Sequence, residues 1–134
     1  MGELISPPKI RDFYSPSKKI AFLLKRLGLN QEQLEELLGV RNGAIYAWRC
    51  EYPYSPTYHE MRIISRLVEL VRAVGKRMTS FEAVCFFGEP NKYFYNDRPV
   101  DVLATEIGYR MVRCILEELL TRENSLRFSG KKRK

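Results

Sequence analysis

Four polar side chains lie close together in the stretch NQEQLEELLGVRNGAIYAWR. Arg41 and Arg49 carry guanidinium groups that can donate hydrogen bonds to guanine or to phosphate, and Asn42 can pair with adenine. Tyr46 can contact a base or a sugar, while Gln31 is placed to contact phosphate or to support the other four. These residue types, at this spacing, favour contact with double-stranded DNA.

Two short helices joined by a tight turn must hold these side chains on one surface. Gly39 can adopt the left-handed backbone conformation of such a turn without the steric cost of a Cβ atom. Val40 can fill the corner, and the second helix, expected at about residues 42–49, can bury Ile45 and Trp48 three positions apart. The polar side chains of that helix then face outwards, as a helix that reads the major groove requires.

The remaining chain repeats a helical spacing of apolar residues and contains no alternation long enough for a sheet, so we predict an all-α fold of about six helices. The expected start signals are Ser15-Pro16, Asn30 with Gln33, Asn42, Ser55-Pro56, Thr79 with Glu82, and Asp97 or Arg98 before Pro99. We expect the last helix to begin at Pro99 and to bury Leu103, Ile107, Met111, Ile115 and Leu119.

The 134 residues can bury one ordinary core or two small ones. The predicted organisation is an irregular arm over 1–14, a DNA-binding helical domain over 15–78, a second helical domain over 79–124 and a basic flexible tail over 125–134. The net charge is +7, and the tail alone carries five basic and no acidic side chains. Residues 80–124 carry eight acidic and five basic side chains, so a protein partner suits them better than phosphate.

Few residues could support catalysis or bind a metal. His59 is the only histidine, and Cys50, Cys85 and Cys114 form no CxxC pair, so we expect buried, inert thiols and no metal site. No glycine-rich phosphate loop is present, and we expect neither a cofactor nor an enzymatic activity. The chain also lacks a long apolar run and a recognisable signal peptide, which makes the cytoplasm the expected location and gives no reason to expect a membrane partner.

The first half of the chain carries the pattern Q-x6-L-G-V-x4-I-x2-W. Over residues 17–75 it resembles the Xre-type family of prokaryotic helix-turn-helix proteins, and the resemblance implies binding to operator DNA. Lys18 and Lys19, near the start of the preceding helix, would add non-specific attraction to phosphate. An alternative is that the helix pair is retained only for packing.

Glu35 departs from the family pattern, which usually has alanine between the two helices. Because an unpaired buried carboxylate is costly, we expect Glu35 to bend outwards or to widen the helix crossing. The corresponding hypothesis is that Glu35→Ala tightens the packing and leaves DNA binding equal or stronger. Gly43 should weaken the second helix.

A second resemblance lies between residues 80 and 120. Its matching features, in order along the chain, are Pro90-Asn91, Arg98-Pro99, Leu103-Ala104-Thr105, Gly108 and Val112. The stretch resembles the toxin-binding domain of Xre/MbcA/ParS antitoxins. The glycine that usually precedes the proline is replaced by Asn96-Asp97, which can form the same turn.

The resemblance implies an antitoxin that binds a RES-domain toxin, which degrades NAD, and that represses its own operon. The candidate toxin contacts are polar or aromatic side chains of the loop, the last helix and the tail: Asn91, Tyr93, Arg98, Asp101, Arg110, Arg113, Arg127, Phe128 and Lys131. Phe94 and Tyr95 are further aromatic candidates, although Phe94 is equally suited to the core. The arginines can equally be solvated surface, and the tail can be disordered.

Two functional readings remain open at this point. One is the antitoxin, and the other is a stand-alone helix-turn-helix regulator whose C-terminal domain dimerises or binds a different partner. Either is expected to act as a homodimer, because helix-turn-helix proteins commonly bind paired half-sites.

Overall fold

The structure, a computed structural model, describes residues 15–50 and 56–133, with side chains as far as residue 122. Its six α-helices are α1 Pro16–Leu27, α2 Gln31–Leu38, α3 Ala44–Cys50, α4 Tyr58–Val74, α5 Ser80–Gly88 and α6 Glu106–Arg133. Three short 3₁₀ helices occupy Gly75–Arg77, Lys92–Phe94 and Pro99–Ala104. The described residues contain no strand, so the predicted all-α fold is confirmed, while the predicted arm over 1–14 lies outside them.

Local capping signals explain where three of the helices begin, as predicted. The Ser15 side chain accepts a hydrogen bond from the Lys18 amide at the start of α1. Asn30 and Gln33 form a reciprocal capping box at α2, and Thr79 forms another with Glu82 at α5. Each box satisfies two amides that the first helical turn leaves without partners.

The start of α4 differs from the prediction. We expected Ser55 to cap this helix, but Thr57 does so: its hydroxyl accepts from the Glu60 amide at 3.1 Å, and the Glu60 carboxylate accepts from the Thr57 amide at 2.9 Å. A capping box satisfies two amides where the predicted serine would satisfy one, which is why the later start is favoured. Ser55 itself lies outside the described residues.

The last predicted helix is divided in two. Pro99–Ala104 forms a 3₁₀ helix, and α6 begins only after Thr105, whose hydroxyl accepts from the Gly108 amide at 3.0 Å. The predicted buried stripe is therefore wrong at Ile107 and Met111, which are 72% and 37% exposed. Among the described side chains of α6, the buried apolar ones are instead Tyr109, Val112, Leu116 and Leu120. The backbone also stays helical to Arg133, where a flexible tail was expected from residue 125.

One buried apolar cluster includes residues from α1 to α6, and thus from both predicted domains. The 3₁₀ helix Pro99–Ala104 contacts α4, α5 and α6 and contributes the fully buried Leu103. Two arginines of α4 bind the end of this 3₁₀ helix: Arg66 donates to the Leu103 carbonyl at 2.8 Å and Arg62 to the Ala104 carbonyl at 3.3 Å. These bonds pair carbonyls that the end of the 3₁₀ helix leaves open.

Candidate nucleic-acid interface and partner-binding surface

Helix α3 is held in place by its apolar side. Ala44, Ile45 and Trp48 are at most 1% exposed, and the helix contacts α1 and α2. Trp48 is among the largest fully buried side chains of the described residues. An indole buried to this extent strongly restricts the rotation of so short a helix, because any turn about its axis would open a cavity.

The opposite side of α3 carries the predicted DNA contacts. Arg41, Asn42, Tyr46 and Arg49 are all exposed, and Tyr46 is 66% exposed. Within α3, Tyr46 and Arg49 are three residues apart, the spacing that places side chains on one helical face. Arg41 and Asn42 lie in the turn before the helix, which begins at Ala44 and not at Asn42 as predicted, because the positive φ of Gly43 interrupts helical geometry. Gln31, the first residue of α2, is half-buried. The exposed polar face that we predicted is therefore present.

The two lysines expected to attract phosphate differ from each other. Lys18 is exposed, but Lys19 is only 9% exposed. Burial, together with the nearby positive charge of Arg72, lowers the pKa of Lys19. The structure thus corrects the prediction for Lys19, because a side chain that the protein largely covers is less available to a DNA backbone than that of Lys18.

Glu35 neither bends outwards nor remains unpaired. Its side chain is 5% exposed, and its Oε2 atom accepts from the Gly43 amide at 2.9 Å and from the Ile45 amide at 3.1 Å. The expected packing penalty was wrong because these donors belong to the start of α3, where helix amides have no partners within the helix. Gly43 has φ +88° and no side chain with which to cap α3 itself.

The loop between α5 and the 3₁₀ helix Pro99–Ala104 is closed by Asn91. Its amide donates to the Asp97 carbonyl at 3.1 Å, and its side chain accepts from the Tyr93 amide at 2.8 Å. Tyr95 and Asn96 have φ values of +57° and +69°. Asn96 thus adopts the left-handed conformation that glycine would otherwise supply, as predicted for this turn.

The aromatic residues of this loop separate into core and surface. Phe94 is 2% exposed and belongs to the core, which decides between the two readings that its sequence position allowed. Tyr93 is 46% and Tyr95 89% exposed. Tyr95 therefore combines a strained backbone with a solvent-facing ring, and the ring contributes little packing to offset that strain.

Arg98 and Asp101 bind each other rather than pointing separately into solvent. The guanidinium donates to both carboxylate oxygens, at 2.8 Å and 2.9 Å, and it also donates to the Glu36 carbonyl near the end of α2 at 3.3 Å. The hydrogen bond to Asp101 is the main cause that raises the pKa of Arg98. Arg98 thus connects the start of the 3₁₀ helix Pro99–Ala104 to the C-terminal part of α2.

The remaining predicted contacts lie along α6. Arg110 is exposed and pairs with Glu106 at 3.0 Å, and Arg113 is exposed and lies 3.5 Å from Glu117. Beside them, Ile107, Met111 and Cys114 follow at helical spacing and are exposed. Arg127, Phe128 and Lys131 were also predicted to contact the partner, but their side chains are not among those that the structure describes.

The thiols and the histidine form no chemical centre among the described residues. Cys50 and Cys114 are exposed and Cys85 is half-buried, so the prediction of buried thiols was wrong for two of them. Burial is the main cause that raises the pKa of Cys85. His59 lies in the first turn of α4, beside a cleft of about 260 Å³ that also contacts Trp48.

The described residues offer neither a metal site nor a membrane-spanning helix. No group of three or more His, Cys, Asp or Glu side chains in this part of the chain could hold a metal ion. None of its helices is long and apolar enough to cross a membrane.

Comparison with protein-family models finds no matching family, and comparisons with curated proteins and with solved structures find no match either. The similarity to Xre-type antitoxins thus rests on the sequence motifs quoted above.

Proposed function

We propose that this chain is the antitoxin of a type II toxin-antitoxin system, which binds operator DNA through α3 and occludes a RES-domain toxin through its C-terminal half. The observation that carries the proposal is the presence of two separate exposed surfaces on one shared core. One is the polar face of α3, and the other, called here the α6 face, consists of Ile107, Arg110, Met111 and Cys114.

The polar face of α3 supports DNA binding through its composition. Arg41 and Arg49 can bind guanine or phosphate, Asn42 can bind adenine, and no acidic side chain lies between residues 41 and 49. A helix-turn-helix module supplies such a helix with its apolar side buried. Binding as a homodimer would place two copies of α3 on paired half-sites, which is how operators are commonly recognised.

The α6 face supports binding to a protein. Large apolar side chains that are exposed beside charged ones are typical of interfaces, where arginine and methionine are enriched. Tyr93 and Tyr95 add exposed aromatic rings on a nearby segment of the sequence. The positive φ of Tyr95 is the kind of backbone strain that is frequent at binding sites.

Occlusion requires no chemistry from the antitoxin itself. A toxin that degrades NAD must bind an anionic dinucleotide, so covering the entrance to that site is sufficient to exclude the substrate. The end of the chain carries Arg127 and four consecutive basic residues, Lys131–Lys134. In this proposal these residues add charged contacts to the toxin while the α6 face supplies the apolar contact.

A pull-down of the tagged full-length protein from its own host tests the proposal. A small RES-domain protein, recovered in stoichiometric amount and identified by mass, is the expected partner. Met111→Asp should abolish its recovery, because a carboxylate would be buried at the apolar contact without a partner. Arg122→Ala, which changes an exposed side chain further along α6, serves as the control.

Recovery of the chain alone, or with DNA only, would contradict the antitoxin proposal and favour a stand-alone regulator. Equal recovery of the partner by wild type and Met111→Asp would contradict the assignment of the α6 face and leave the identity of the partner intact.

A further inference from the structure

Helix α3 begins without a capping side chain of its own. Its first residue is Ala44, and Gly43, which precedes it, accepts from the Ala47 amide at 3.0 Å and thus occupies the capping position. Residues preferred at that position carry a side-chain oxygen that binds the amides of the first turn. Gly43 has none, so the amides at the start of α3 need an acceptor from elsewhere.

Glu35 of α2 supplies that acceptor. Its Oε2 atom receives the Gly43 amide at 2.9 Å and the Ile45 amide at 3.1 Å, and its side chain is 5% exposed. No buried side-chain oxygen or nitrogen among the described residues lacks a hydrogen-bond partner. A buried carboxylate that accepts two amides at a helix start is also favoured by the positive end of the helix dipole.

The backbone of the same residue closes the preceding helix. The Glu35 carbonyl accepts from the Gly39 amide at 2.9 Å and from the Val40 amide at 3.0 Å, which ends α2 and starts the turn. One residue therefore binds both ends of the connection between α2 and α3. Its backbone defines where α2 stops, and its side chain defines where α3 starts.

We propose that Glu35 is the positioning residue of α3: its buried carboxylate holds the start of the helix so that Asn42, Tyr46 and Arg49 face the DNA in one register. This inference rests on the proposed DNA binding. Non-specific affinity comes from phosphate contacts and tolerates a shift of the helix, whereas contacts to base edges do not. Loss of Glu35 should therefore reduce specific binding and leave non-specific binding largely unchanged.

The test compares Glu35→Ala and Glu35→Gln with wild type, using Glu36→Gln as a charge-matched control on an exposed position of the same helix. The probes are a duplex from the region upstream of the gene of this protein and a scrambled duplex of equal composition. Glu35→Ala should bind the upstream duplex about tenfold more weakly, because it removes a helix cap and leaves two amides without an acceptor. Its affinity for the scrambled duplex should stay within about twofold of wild type, since the phosphate contacts remain.

Glu35→Gln retains an acceptor oxygen at the same reach and should recover most of the specific affinity, while Glu36→Gln should match wild type. Equal specific affinity of Glu35→Ala and wild type would overturn the proposal, as would a parallel loss on both duplexes that follows the loss of folded protein. If Glu35→Ala does not fold, the test depends on Glu35→Gln. A tenfold loss of specific binding by Glu35→Gln, at unchanged stability, would contradict the role of the carboxylate as the acceptor.

Amide hydrogen exchange separates failure of this inference from failure of the proposed function. If wild type shows no preference for the upstream duplex, the DNA-binding proposal fails, and Glu35 then positions no reading surface. Exchange at Gly43 and Ile45 still reports the cap: it should accelerate in Glu35→Ala and remain slow in Glu36→Gln. Unchanged exchange at both amides would show that Glu35 does not hold α3.

Discussion

Gly108→Ala is a sharp test of how α6 packs on the 3₁₀ helix before it. A Cβ atom at Gly108 would lie 1.9 Å from the Val102 carbonyl oxygen and 2.9 Å from the Thr105 hydroxyl oxygen. Both distances are far below van der Waals contact, and the first involves backbone, which cannot move by rotating a side chain. The cost of such overpacking is about 3 kcal/mol or more, the upper part of the usual range.

Helix propensity acts in the opposite direction, since alanine favours a helix by at most ~1 kcal/mol over glycine. The net expectation is a loss of about 2 kcal/mol in the free energy of unfolding. For a chain of this length that loss lowers Tm by roughly 8 °C. Thermal unfolding followed by circular dichroism, together with urea titration, measures both quantities.

Gly88→Ala provides the matched control. Its Cβ would meet only the Cδ1 atom of Leu37 at 2.8 Å, the end of a flexible side chain that can turn away. Its Tm should therefore fall much less than that of Gly108→Ala. A Gly108→Ala protein at least as stable as wild type would refute the reasoning, because it would mean that α6 can move away from Val102 at no cost.

Two further predictions concern charge. Burial is the main cause that raises the pKa of Tyr109 above the ordinary value of 10.0, so the unfolded chain loses this proton first and the free energy of unfolding falls as the pH rises above that value. Tyr109→Phe should lose less stability between about pH 9 and about pH 11, measured by urea titration, and an unchanged loss would assign it to other groups. Arg49→Ala should weaken binding to the upstream duplex about tenfold in an anisotropy assay. Lys76→Ala, which removes the same charge at another exposed site, should weaken it far less. Equal effects of the two substitutions would show that only net charge matters.

Local signals in the sequence predicted the fold class and three of the six helix starts in the described residues. A capping box joins residues three positions apart, so Asn30 with Gln33 and Thr79 with Glu82 can be recognised without knowledge of the tertiary structure. The same reasoning predicted the outward face of α3, because Ile45 and Trp48 leave only one side of so short a helix free. It failed at α4 by accepting Ser55 where Thr57 offers a second bond to Glu60.

Local signals in the sequence could not predict which face of α6 is buried. The helix carries two apolar stripes one position apart, the first through Ile107 and Met111 and the second through Val112 and Leu116. Both have helical spacing, so periodicity alone does not distinguish them. The choice is made by the Thr105 cap and by the contact at Gly108, which turn the second stripe towards the core. The first stripe is then left on the surface, where it forms the α6 face.

Glu35 shows the limit of local reasoning most clearly, because the physical premise was correct and the conclusion was not. An unpaired buried carboxylate is indeed costly, but whether this carboxylate is paired depends on amides eight and ten positions further along the chain. Those amides are available because Gly43 brings no side chain to the start of α3. The two features, a buried glutamate in α2 and a glycine at the capping position of α3, therefore compensate each other. Each looks destabilising alone, and together they form one helix cap that spans the turn.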